Sequence, residues 1–177
     1  MATVNPKIGV SPEGSRPWRW SVAQYHQLAG AGWFDEKRVE LIEGEIVEMP
    51  PIGDEHRAVG MGSIEVFRAV FGAGFVLSVQ SSLILDDESE PEPDVVIARG
   101  TWRDFIGGLP VRAVVLVVEI TKTTPHNDLV KKPAVYARSS IPEYWVIDLV
   151  NAELVVHRQP EQGDEPHYAE VQRLRKG

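Results

Sequence analysis

The chain has no cysteine in its 177 residues. That removes disulfides, thiolate metal sites and cysteine nucleophiles, and it fits a reducing compartment. It also has no long apolar run. VVLVV at 114–118 is the longest strongly apolar stretch, far too short to span a membrane. The opening residues MATVNPKIGVSPEGSRP hold no apolar segment of signal-peptide length, so a cytoplasmic protein with no membrane association is expected. There is no G-x-S-x-G elbow for serine chemistry and no glycine–lysine P-loop signature. A separate reader domain, a zinc finger and a dense basic helix are missing too, so nothing in the sequence specifies a nucleic-acid target. Positive charge is in the minority. The formal net charge of −8 argues against a general DNA coat, though a metal ion or a local basic patch can offset it at a nuclease site.

Hydrophobic residues make up 43%, enough for a packed core, and the length suits one domain. Residues 1–17 carry Pro, Gly and Ser without periodicity and read as a flexible arm, leaving 18–177 as a single domain. Ser21 and Gln24 have the spacing of a capping box, which predicts a helix over about 21–30 that lids one end of the core. VELIEGEIVEMP at 39–50 reads as a hairpin turning at Glu43-Gly44. Helical spacing covers 54–71, and a strand is expected at 75–85. A short strand DVVIA at 94–98 begins after Pro93. A polar, Gly-rich loop at 99–111 holds Trp102 and Phe105, read as loop anchors, with base stacking or covering a dimer surface as the alternatives. AVVLVVEI at 113–120 suits a central strand buried on both faces. A helix over 128–139 follows, with Pro133 tolerable only within its first turn. Strands at 143–149 and 153–159 form a hairpin, and 167–174 is an edge strand. Helices alternating with apolar strands predict one α/β domain around a mixed sheet.

Two carboxylates stand out. Asp94 opens one strand, and Glu119 interrupts the most buried-looking one. A charge there is costly unless it is paired or binds a metal. Carboxylates from adjacent strands can hold Mg²⁺ with water completing the octahedron, which in turn activates water against a phosphodiester. The plain alternative is a strand end at the solvent edge and a loop cap. Lys131, beside Lys132, is either an electrostatic aid to the site or part of a solvated helix face. Glu40 or Glu43 can approach from the first hairpin. His56, at the start of the first long helix, can carry a proton or sit at the surface. Tyr136, Tyr144 and Trp145 follow the periodicity of core residues. Asp128 divides between helix cap and site residue.

In order, RVELIEGEIVEM, His56, EPEPDVVI, LVVEI and NDLVKKPAVYARSSIPEYWVIDL resemble the Uma2 family, a group designated as endonucleases. The similarity runs from about residue 20 to about 160 and is most specific over 128–148. That family is similar to the PD-(D/E)xK restriction-endonuclease-like fold, a mixed central β-sheet flanked by helices. The resemblance implies a metal-dependent nuclease using Mg²⁺, with Mn²⁺ as substitute. Asp94 matches the PD aspartate and Glu119 the second acidic ligand. The usual third-position lysine is replaced by Thr121, and the resemblance moves its function to the next helix, at Lys131. His56 and Glu40 match polar residues of the family's first helix and hairpin. A DNA substrate and a homodimer are implied with it. The alternatives are a catalytically quiet binding protein that keeps the fold and a hydrolase of small phosphoesters.

Overall fold

The computed structural model describes residues 16–175. All but two residues of the predicted arm therefore lie outside the described residues. Helix α1 (Val22–Gly30) starts as the sequence implies. Ser21 accepts from the Gln24 N–H, and the Gln24 side chain accepts from the Ser21 N–H. It buries none of its residues fully. It is fastened by contacts at its edge: Tyr25 donates to the Val39 carbonyl at 2.9 Å, and the Val22 N–H to the Asp87 carbonyl at 2.7 Å.

Strands β1 (Val39–Ile42) and β2 (Glu45–Glu48) form a separate two-stranded hairpin. Glu43 and Gly44 both have positive φ, 49° and 74°, as a two-residue type I′ turn requires. A Cβ on Gly44 would lie 2.5 Å from the Cβ of Arg19, so only glycine allows the chain before α1 to pass over this turn. Helix α2 (Asp54–Phe71) ends at Gly72 (φ 63°). Strand β3 (Phe75–Val79) is shorter than its apolar pattern suggests, because Gln80 takes a φ of 46° and turns the chain out of the sheet. The chain then runs back along the hairpin, where Leu41 and Glu90 exchange backbone hydrogen bonds.

Strands β4 (Val95–Arg99), β5 (Val114–Thr121), β6 (Glu143–Asp148), β7 (Glu153–Glu161) and β8 (His167–Arg175) complete a six-stranded sheet in the order β3-β4-β5-β6-β7-β8. All pairings are antiparallel except β5–β6, which is parallel and so needs a helical crossover. The crossover holds a wide π-type turn (Asn127–Lys131) and helix α3 (Lys132–Arg138), with Pro133 inside the first turn as required. The result is the mixed α/β architecture expected from the alternation of elements.

Central strand β5 alternates its side chains between two cores. Val117 joins Val96, Tyr136, Tyr144, Val146 and Val155 beneath α3. Leu116 and Val118 join Phe67, Val95 and Ile97 beneath α2, with Trp145 packed on their edge. Both faces are thus covered, which is why the strand reads as an unbroken apolar run. In the loop after β4, Phe105 packs against Gly100, whereas Trp102 stays 61% exposed with the Arg103 guanidinium 4.4 Å from its ring centre. Phe105 anchors that loop and Trp102 does not. No helix among the described residues is long and apolar enough to cross a membrane.

Phe67 is the buried side chain of α2, so Phe67→Ala should cost about 3 kcal/mol in urea unfolding. Val70→Ala, on the exposed side of the same helix, should stay within about 0.5 kcal/mol. His157 is packed between Tyr144 and Tyr168, and burial holds its imidazole below the ordinary histidine range, aided by Arg173 and opposed by the Tyr144 carbonyl. The unfolded chain then takes up a proton that the folded chain resists, so this residue's contribution is present at neutral pH and lost on acidification. The loss of stability between pH 7.5 and pH 5.5 should be smaller in His157→Gln than in the wild type, measured by urea midpoints.

Candidate active site

The β4–β5 register carries the site. Val95 faces Val118 in this antiparallel pair, so the next residues out, Asp94 and Glu119, stand opposite each other at the strand ends. Asp94 precedes β4 and uses its Oδ2 to close the ladder: the Ile120 N–H donates to it at 2.8 Å. His56 Nε2, from the first turn of α2, lies 3.0 Å from the same oxygen. That hydrogen bond pushes the His56 imidazole up from its ordinary value, and burial opposes it. Asp94, Glu119 and His56 line one cleft of about 320 Å³ between the hairpin and the start of α2.

Glu119 is 4% exposed. Its Oε1 accepts from the Lys132 ammonium at 2.8 Å and from the Tyr136 hydroxyl at 3.2 Å. Lys132 also contacts Glu40 Oε2 at 3.1 Å and Asp128 Oδ1 at 3.4 Å. The Glu92 N–H donates to Glu40, and the Thr124 hydroxyl donates to Asp128. Three carboxylates, from β1, β5 and the π-type turn, therefore surround one buried ammonium. Burial works against the charge on Lys132, but Glu119, Glu40 and Asp128 outweigh it and push its proton affinity up. Glu119 experiences the converse. Burial pushes its carboxyl well above the usual range, Lys132 opposes, and Asp128, Asp94 and Glu40 add to the rise. The cluster holds more negative charge than its own cations balance.

The lysine expectation needs correcting. Lys131 does not reach the carboxylate pair. It is exposed on the other side of the hairpin, 3.9 Å from Glu45. Lys132 makes the contact instead. Adjacent helical residues point about 100° apart, and here the sites that face Glu119 are Asp128, Lys132 and Tyr136, four residues apart. That period was the available signal, and apolar periodicity alone did not carry it. Tyr136 is buried as its spacing predicts, yet its hydroxyl also serves the site. Glu40 is brought in by the hairpin, whereas Glu43 pairs with Arg138 at 2.9 Å outside the cleft. Lys122 bonds Glu55 at 2.7 Å on the cleft lining. Thr121 is fully buried with no partner for its hydroxyl.

Among the described residues no group of three or more His, Asp or Glu side chains is set to hold a metal ion. The donor set is instead two opposed carboxylates. With Asp94 Oδ2 and Glu119 Oε1 taken by protein donors, Asp94 Oδ1 and Glu119 Oε2 have no such donor among the described residues. Hard oxygens from one or two carboxylates, with water for the rest, match the coordination of Mg²⁺. The surplus negative charge of the cluster fits the same ion.

The model of the family Uma2, described as "Putative restriction endonuclease", matches residues 22–177. No curated protein matches the chain. Among solved structures, a "putative nuclease belonging to DUF820" from Anabaena variabilis ATCC 29413 is similar, with a TM-score of 0.67 and 16% identity over 88% of this chain and 84% of that one. At that identity the likeness is one of fold, and it agrees with the expected mixed sheet flanked by helices.

Removing the ammonium leaves three buried or part-buried carboxylates uncompensated. Lys132→Ala should therefore lose about 3 kcal/mol or more in denaturant unfolding, whereas Lys131→Ala should stay within about 0.5 kcal/mol.

Proposed function

The chain belongs to the Uma2 family, and on that premise we propose that it is a metal-dependent endonuclease hydrolysing phosphodiester bonds of nucleic acid. The observation that carries this reading is the opposed Asp94 and Glu119 pair, each with one carboxylate oxygen free of donors from the described residues. These two residues would hold Mg²⁺, or Mn²⁺ in its place. When bound, the metal acidifies water and stabilises charge on a phosphoryl oxygen.

The remaining roles fall to the chain's own side chains. Lys132 pulls Glu119 toward its ionised form against burial and supplies positive charge beside it, the function that the family resemblance assigned to Lys131. Glu40 holds Lys132 in place from the hairpin. His56, hydrogen-bonded to Asp94 on the cleft lining, is placed to accept or return a proton. Cutting both strands of a duplex in one encounter takes two such sites, which a homodimer would supply.

A second reading has two specific supports. Carboxylates outnumber lysines and arginines in the cleft lining, and the cleft is small. Both features suit a small phosphoester better than a polyanion.

The test is hydrolysis of supercoiled DNA, single-stranded RNA and bis-p-nitrophenyl phosphate with Mg²⁺ or Mn²⁺. Nucleic-acid cleavage should fall to background in Asp94→Asn and Glu119→Gln and persist in Lys131→Ala. Turnover of the small ester alone would favour the second reading. Cleavage by Asp94→Asn at the wild-type rate would refute the assignment.

A further inference from the structure

Lys132 alone does not hold Glu119 in one orientation. Its ammonium sits on a four-carbon stem with rotatable donors and is shared among Glu119, Glu40 and Asp128 at 2.8, 3.1 and 3.4 Å. Tyr136 is a different kind of donor. It is fully buried one helical turn beyond Lys132, and its hydroxyl meets the same Glu119 oxygen. Its ring is fixed in a column of aromatic side chains. Tyr144 packs on it with centroids 4.7 Å apart, and His157 and Tyr168 continue the column at 5.3 and 6.5 Å from Tyr144. The hydroxyl therefore arrives from a rigid base.

We propose that Tyr136 is a positioning residue that locks the Glu119 carboxylate by Oε1, so that Oε2 is the oxygen offered to a divalent cation. The proposal rests on the metal-site reading above. Asp94 is treated in the same way by the fold, since the Ile120 N–H ties its Oδ2 and leaves Oδ1. Each half of the pair thus has one oxygen clamped by a donor whose own position is set by packing or backbone. Groups that orient metal ligands in this manner typically contribute 10- to 100-fold to metal affinity.

Mn²⁺ binding to the full chain, followed by electron paramagnetic resonance, separates this role from core packing. Tyr136→Phe keeps the ring and removes the hydroxyl. Tyr168→Phe is the control, because its hydroxyl bonds the Ile141 carbonyl at 2.9 Å in the same column, away from Glu119. Tyr136→Phe should weaken Mn²⁺ binding about 10-fold, and Tyr168→Phe should leave it unchanged, with both variants melting cooperatively. Wild-type affinity in Tyr136→Phe, or equal weakening in Tyr168→Phe, would overturn the proposal while leaving the metal site intact. If the wild type binds no Mn²⁺, or Glu119→Gln binds as well as the wild type, the metal-site reading itself fails and the role of Tyr136 goes with it.

Discussion

The buried ammonium of Lys132 is the constraint on which the arrangement depends. Desolvating that charge is costly, and the cost is met only where several carboxylates converge. Here they come from three places in the chain: Glu40 on the hairpin, Glu119 on the central strand and Asp128 on the crossover turn. One ion cluster therefore joins a two-stranded hairpin, which has no ladder to the main sheet, to the sheet and its helix. The hairpin's position over the cleft follows from this charge balance together with the backbone exchange between Leu41 and Glu90.

The balance is deliberately incomplete in its effect, since the carboxylates exceed the cations around them. Burial and like-charged neighbours drive Glu119 toward holding a proton, against the pull of Lys132. At such a carboxyl, added positive charge, a proton included, lowers the cost of burial. Topology supplies the direction. The β4–β5 register sets Asp94 opposite Glu119, and hydrogen bonds to one oxygen of each carboxylate leave the other. The aromatic column beneath α3 links core packing to this geometry, so that the interior of the domain and the cleft are not separate problems.

Much of this was legible residue by residue. The capping box at Ser21 and Gln24, the turn at Glu43-Gly44 and the apolar run of β5 are local signals, and local physics decides them. Charge inside an apolar run marked Glu119, and a strand start after proline marked Asp94. The failures have a common origin. The strand at 75–85 stops at Val79 because Gln80 takes a positive φ and the chain beyond it bonds to residues 89–94, whose Glu90 pairs with the hairpin, a non-local arrangement that an apolar pattern does not register. Trp102 remains exposed where an anchor was expected, since Phe105 and the Asp104 carboxylate take the space beside Gly100.

The adjacent lysines mark the boundary between the two kinds of information. The sequence by itself marked a carboxylate inside the central strand and a lysine pair in the helix that follows, and only the family resemblance linked the two. The sequence also set Glu119 inside a strand and Asp94 at the start of another, which the structure begins one residue later at Val95. Which lysine turns inward was decided only by the tertiary structure. The wide turn over Asn127–Lys131 sets the helical phase, and that phase is chosen by what Asp128, Lys132 and Tyr136 meet on Glu119 and Glu40. A rotation of about 100° separates neighbouring helical residues. No local preference in the chain distinguishes them, but burying one ammonium among three carboxylates does.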